Sequence, residues 1–337
     1  MLHPLDRRQQ TLLLTCLSLG GSEGEDLLAY LPDEEGALLR EKAERLREIP
    51  KDKRLPLIAH QLKQMMLFRA AKGLEGVEPS WLLAGFRGES ARTVAIVLMH
   101  MPASVSRQIT VRLPESIRIA MPSRAELRDI PLEVIKLVRS RFDAKFASMP
   151  VEHELDELHF RDLVLLTARE LILLSRRLGT DELAAAFIAV GKRALAELLG
   201  RLPPDDADEL ITAVKRASPE DAMEQKGAQA FLAKVLGNFH NTDELFQKAG
   251  LYRLGRAILE EDPLFVRQLS QRFPRAHGRL LHEYLGRARE RGDGTDAQLV
   301  RLRDSILDVV VDLARRGKID ARYGQCPVRY ESKTTSA

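Results

Sequence analysis

The chain has 337 residues and a formal net charge of +3, with 52 Lys and Arg set against 49 Asp and Glu. That length leaves room for roughly two to four domains, and the charge balance argues against a whole-chain polyanion binder while leaving a local basic patch open. Two cysteines far apart, Cys16 and Cys326, build neither a disulfide framework nor a zinc pattern, and point to a reducing compartment.

The N-terminus lacks a signal-peptide layout, and no apolar run reaches the length of a membrane span. A soluble cytoplasmic protein is the expectation. Helical periodicity dominates from end to end, with no convincing alternating strand, so the predicted fold class is all-α.

In chain order, Gln10 to Leu19 reads as a short buried helix ending at Gly20-Gly21. Glu25 to Tyr30 reads as a second, and Pro32-Asp33-Glu34-Glu35 opens a third with acids at its positive end. A longer helix is predicted from about Arg54 to Lys72. Pro79 then begins a connector carrying Trp81. The run Thr93 to Met101 is apolar on nearly every side, which marks a helix buried in protein. Pro102 ends it, Ser104 is the expected cap of the next helix, and Val105, Ile109 and Leu113 form that helix's inward stripe. Pro114-Glu115 starts a third helix of this central unit.

An amphipathic helix follows from Leu132 to about Phe146, and Glu152 to Asp156 reads as an acidic linker. Phe160 to Arg177 is predicted as one helix, and Asp181 to Val190, Arg193 to Leu202 and Asp205 to Lys215 as three short ones. Ser218-Pro219-Glu220 is a further helix start, and residues 220–250 hold the next pair. An Arg-rich stretch, 264–291, leads to the turn Gly292-Asp293-Gly294-Thr295. Leu299, Leu302, Ile306, Val309 and Leu313 line one face of the last helix, which Arg315-Arg316-Gly317 ends. Residues 321–337 read as a flexible tail.

One unit recurs. Leu27 to Glu35, Ile109 to Ile117 and Leu198 to Asp206 each carry a Leu-Pro step before acidic or polar residues, and each follows an apolar helix. The spacing of the steps, at 31–32, 113–114 and 202–203, suits duplicated modules of several helices, the ingredient of an armadillo-like right-handed stack. Chance Leu-Pro pairs at helix boundaries are the alternative.

Signals for chemistry are weak. There is no phosphate loop, dinucleotide fingerprint or nucleophile elbow. His153 and His159 are six apart and do not share a helical face, and His277 and His282 are no better spaced for a metal. Cys16 reads as core, as do Met65, Met66, Met99 and Met101. The one uneven charge feature is Arg267, Arg272, Arg275, Arg279, Arg287, Arg289 and Arg291 against Glu283 and Glu290. A solvated face, a protein-docking ridge and a nucleic-acid surface are the three readings. The last lacks interleaved aromatics. Composition and pattern describe an all-helical interaction protein with no catalytic or cofactor-binding residues to assign.

The residues also carry a resemblance. Gln10 to Gly20 with Leu27 to Glu35, Arg92 to Met101 with Gln108 to Pro114, residues 160–215 and residues 239–320 resemble, in order, the successive segments of the FliG family of flagellar motor switch proteins. Gln298 to Ile319 is similar to that family's last helix.

The resemblance implies an N-terminal domain (1–74) docking on a membrane-ring protein, a middle armadillo-like domain (79–150) and a second one (157–217). A charged C-terminal helical domain (239–320) would face the stator. It also implies a switch-partner site at Glu89, Ser90, Ala91 and Arg92, where only the acid of the family's Glu-His-Pro-Gln survives. A stator-facing ridge is implied at Arg275, Arg279, Glu283 and Arg287, with the family's paired Asp appearing as Gly286 and Arg287. Such a ridge loses its negative half.

The expected function is a structural component, not an enzyme and without cofactor, of a cytoplasmic rotor ring at the base of a flagellum or related secretion apparatus. Its partners would be an MS-ring-like membrane protein, FliM-like switch proteins, an acidic stator-like protein and further copies of itself. Stacking between copies is expected through Val94, Val97, Leu98, Met101, Val105, Ile109, Leu183 and Phe187. The alternatives are a non-motor secretion scaffold, or a helical-repeat adaptor whose basic C-terminal domain binds acidic partners or nucleic acid.

Overall fold

The computed structural model describes residues 13, 33–47, 74, 76–128, 130–150, 155–217, 228–229, 241–292 and 295–331. The chain divides into two compact units, residues 1–72 and 73–337. Among the described residues the protein is all-helical, and the one strand-like feature is an isolated bridge between Leu158 and Val328.

In the first unit, α1 spans Asp33–Arg47, where the third N-terminal helix is expected. Leu39 and Ala43, one turn apart, are buried along it, as is Leu13. The helices expected at Glu25 to Tyr30 and Arg54 to Lys72, and Cys16, lie outside the described residues.

The second unit begins with α2, Pro79–Gly85. A connector was expected here. The helix forms because the Glu78 carboxylate accepts from the Ser80 amide (2.9 Å) and Pro79 takes the first turn, where no amide is needed. The buried inner helix is α3, Ala91–Met99, capped by Ser90 Oγ accepting from the Thr93 amide at 3.1 Å. The next is α4, Ala103–Arg112, followed by α5, Glu115–Ile119. Pro102 takes the N-cap position of α4 and Ser104 lies inside the helix, so the expected serine cap is not used.

Next come α6, Arg124–Arg128, and α7, Leu132–Asp143. Leu82, Phe86, Val94, Val97, Ile109, Phe142 and Phe146 close a core around α3. Phe86 stacks on Phe142 with centroids 4.5 Å apart, and Phe146 tilts against Phe142 at 5.3 Å.

After a 3-10 turn at Phe160–Leu165 comes α8, Ala168–Val190, a single helix of 23 residues. The sequence reading placed a helix over 160–177 and a new one from 181. In fact Thr167 and Glu170 form a capping box that starts the helix late, and the helix runs through Gly179-Thr180 without a break. The glycine is retained because the Phe246 carbonyl sits where its Cβ would be, and Gly250 faces the Ser175 carbonyl in the same way. Helix propensity would prefer another residue at each position by roughly 1 kcal/mol; close packing outweighs it.

Among the described residues there follow α9, Lys192–Leu199; α10, Pro204–Arg216; and α11, Thr242–Ala257, which crosses α8 at those two glycines. The chain continues with α12, Pro263–Arg272, α13, Arg275–Arg291, α14, Asp296–Arg315, and the short α15, Arg322–Gln325. Gly292 (φ +64°) and Gly317 (φ +66°) end α13 and α14 in the left-handed conformation glycine favours.

The stretch 321–331 is not a loose tail. Tyr323 is fully buried, the Leu158 amide donates to the Pro327 carbonyl (2.8 Å), and the Tyr330 hydroxyl donates to Asp308 (2.6 Å).

The recurring unit takes the same local form twice. Leu113-Pro114 separates α4 from α5, and Leu202-Pro203 separates α9 from α10, with each proline at the N-cap position. The first Leu-Pro step, at 31–32, lies outside the described residues.

Candidate interaction surfaces

Glu89, Ser90, Ala91 and Arg92 come together at the start of α3. Glu89 is only partly exposed and sits 2.5 Å from Lys145 Nζ, which also donates to the Gly85 carbonyl at 2.8 Å. The acid therefore ties the α3 entry to the end of α7. Ser90 is occupied as the cap, and Arg92 is the exposed charge of the four.

The stacking residues are a correction. Val94, Val97, Leu98, Met101 and Ile109 are at most 8% exposed and belong to the core around α3. Val105 packs against that core. Leu183 and Phe187, at most 2% exposed, belong to the larger core of α8, α11 and α14. Apolar stripes are satisfied inside one chain before any neighbour arrives.

The most exposed apolar side chains among the described residues are others: Ile119 (78%), Val111 (76%) and Leu137 (71%), with Leu264, Val190 and Val134 less so. The sequence did carry a trace of them. On α7 the buried stripe is Ile135, Arg139 and Phe142, and Val134 and Leu137 are apolar residues off that stripe.

The expected ridge is partly dismantled. The helix α13 runs unbroken through Gly286, so Arg275, Arg279, Glu283 and Arg287 follow one another at steps of four. Yet Arg275 is half-buried, its guanidinium 5.9 Å from the Trp81 ring centroid and its amide donating to Ser80 Oγ at 2.8 Å. Arg287 pairs with Glu283 and lies over Tyr284. Arg272 turns inward to the carbonyls of Gly76 and Val164, and Arg291 reaches the Tyr252 hydroxyl at 3.4 Å. The exposed basic surface thus narrows to Arg267, Arg279, Arg289 and Arg291 beside the paired Arg287. A local patch of this size steers association more than it stabilises the fold.

Sequence reasoning missed a buried ionic network. Glu182 of α8 is fully buried, with Arg256 Nη2 2.8 and 2.6 Å from its two carboxylate oxygens and Arg253 Nη1 at 3.4 Å. Arg253 continues to Ser305 of α14 (3.1 Å). Arg303 of α14 donates to the Ala257 carbonyl (2.8 Å) and meets Glu331 (3.1 Å) and Glu261 (3.6 Å). The signal available was Glu182 itself, an acid flanked by Leu178, Leu183 and Ala186 in a run that is otherwise core.

The histidines have structural places. His159 caps the 3-10 turn, its amide donating to Asp162 at 2.7 Å, while His153 lies outside the described residues. His277 Nε2 is 2.9 Å from Gln247 Oε1. Burial holds the His277 imidazole below its ordinary pKa, with Glu78 pulling the other way. The unfolded chain then takes up the proton first. The stabilising contribution is complete above the ordinary histidine value of about 6.5 and is lost as pH falls through the depressed folded value. The urea midpoint should therefore drop between about pH 7.5 and about pH 5.5, and His277→Asn should flatten that slope. It should not abolish the slope, because burial and then Arg267 and Arg289 depress His282 in the same sense. A slope unchanged by His277→Asn would show that this histidine does not stay neutral in the fold.

Among the described residues no helix is long and apolar enough to cross a membrane. Comparison of the chain with known protein families and with curated proteins finds no match.

Proposed function

We propose that this protein is a FliG-like ring component, a structural element of a cytoplasmic rotor or flagellum-related secretion apparatus. The observation that carries the reading is the repetition of one helix–helix–Leu-Pro–helix unit in α3 to α5 and in α8 to α10. Two such units in one chain are the raw material for armadillo-like stacking between copies, head to tail, closing into a ring. In this reading the contact between copies falls on exposed apolar side chains, Val111, Ile119 and Leu137, because the earlier candidates are core. Residues 89–92 mark the switch-partner side, with Arg92 as its exposed charge. The patch around Arg279 meets an acidic stator-like partner.

The first unit, residues 1–72, is the anchor to a membrane-ring protein in this reading. It is compact by itself, so it is removable without cutting through the second unit. The full chain should co-sediment with native membranes of its host, and a variant starting at Gly73 should move to the supernatant with its helical circular-dichroism signal per residue kept. A truncated variant that still pellets as well as the full chain would remove the anchoring role and, with it, the main support for a ring at the membrane.

A further inference from the structure

Among the described residues the second unit contains two apolar cores that do not merge. One is built from residues between Leu74 and Met149, the other from residues between Leu158 and Tyr323. What joins them is a polar seam at the elbow between α12 and α13. Across it the Glu78 amide donates to the Gln271 carbonyl (2.8 Å), and the Ala147 amide donates to Gln271 Oε1 (2.9 Å). The Trp81 indole donates to the Phe273 carbonyl (3.0 Å), and the Arg275 amide donates to Ser80 Oγ (2.8 Å). Gln268 donates to the Ser148 carbonyl and Arg272 to that of Gly76.

The large side chain at this seam is Trp81. Its ring reaches the Cα of Gly278, where a Cβ would strike both the indole and the Ser270 carbonyl, and the Arg275 guanidinium lies over its face.

Hydrogen bonds of this kind contribute little each net, because water replaces them when the two sides part. Separate apolar cores each keep their own burial through such a parting. A protein so built opens along the seam at less cost than either core unfolds. From this geometry we infer that the α2–α7 module is held on the α12–α13 elbow by a reversible latch keyed by Trp81. Opening it leaves both cores intact and releases Arg275 to extend the Arg279 row of α13. Closed, the latch withholds that cation on the indole. Open, it adds one positive charge, four residues from Arg279, to the surface an acidic partner would meet. An acidic partner therefore favours the open state through its differential affinity for the two. The inference stands apart from the ring reading, since it uses only contacts within one chain.

The test is hydrogen exchange by mass spectrometry on the full chain, with Trp81, the chain's single tryptophan, as a fluorescent reporter. The amides of Glu78 and Ala147 should exchange together, ahead of those in α3 and α11. In low urea the Trp81 emission should red-shift before helical circular dichroism falls. Gln271→Ala removes directly only the acceptor of Ala147, and the Glu78 acceptor, a backbone carbonyl, survives. Faster exchange at both amides in this variant, with α3 and α11 unchanged, is the result expected of one cooperative latch. Acceleration at Ala147 alone overturns the proposal. So does exchange of the seam amides together with the two cores, or a Trp81 transition coincident with loss of helix in the unmutated chain.

Discussion

Gly250→Ala should unfold or severely loosen the second unit. In an exposed helix the same change would stabilise by roughly 1 kcal/mol, since alanine is the better helix former. Here a Cβ on Gly250 would run into the backbone carbonyl of Ser175, and neither side can give without moving a helix. Overpacking a core costs about 1–3 kcal/mol when side chains yield, and more when backbone must shift. The clash therefore wins over propensity by a wide margin. Gly179→Ala should behave alike, because it meets the Phe246 carbonyl on the other side of the same crossing. The check is urea unfolding followed by circular dichroism. Gly286→Ala is the control: nothing beyond its own stretch of helix backbone lies within 4 Å of its Cβ position, so it should hold or raise stability. A Gly250→Ala chain as stable as the parent would mean that α8 and α11 do not approach so closely.

Glu182→Ala should cost about 3–5 kcal/mol, the range for removing one partner of a buried ion pair. The loss comes less from the missing attraction than from what stays behind. Arg253 and Arg256 are only 8% and 6% exposed, and both would be left without this carboxylate in a poorly solvated place. Glu182→Gln keeps the volume and two acceptor sites for hydrogen bonds but not the charge, so it should fall between parent and alanine. Thermal melting of the three proteins orders them. If Glu182→Ala melts with the parent, water reaches the two guanidiniums and the network is not a dry one. The contrast with the surface is instructive: the exposed Arg193–Glu197 pair, 3.9 Å apart, should be worth roughly 0–1 kcal/mol.

The helical class was legible without coordinates, and so were many of the helix borders. Leu113-Pro114 and Leu202-Pro203 part helices, and Gly292 and Gly317 end them where expected, whereas the serine cap falls at Ser90 and not at Ser104. Caps, prolines and positive-φ glycines act within a few residues, so the local sequence determines their effect. The basic run 264–291 was legible as composition, and its spacing of four on α13 as periodicity.

What the tertiary structure alone decided is which neighbour each face meets. Gly179 reads as a helix break until the crossing with α11 shows why it is glycine. Val94, Val97, Leu98, Met101, Ile109, Leu183 and Phe187 were expected to stack on a second copy, yet they fill this chain's own cores, while Ile119, Val111 and Leu137 are among the apolar residues left outside. Arg275 counts toward a ridge by spacing but lies on Trp81, nearly two hundred residues earlier in the chain. Residues 321–331 lack strong periodicity and still pack, through Tyr323 and the pairing of Leu158 with Val328. Periodicity reports that a helix has an inside. Its inside is chosen by contacts between residues far apart in sequence, which no local pattern encodes.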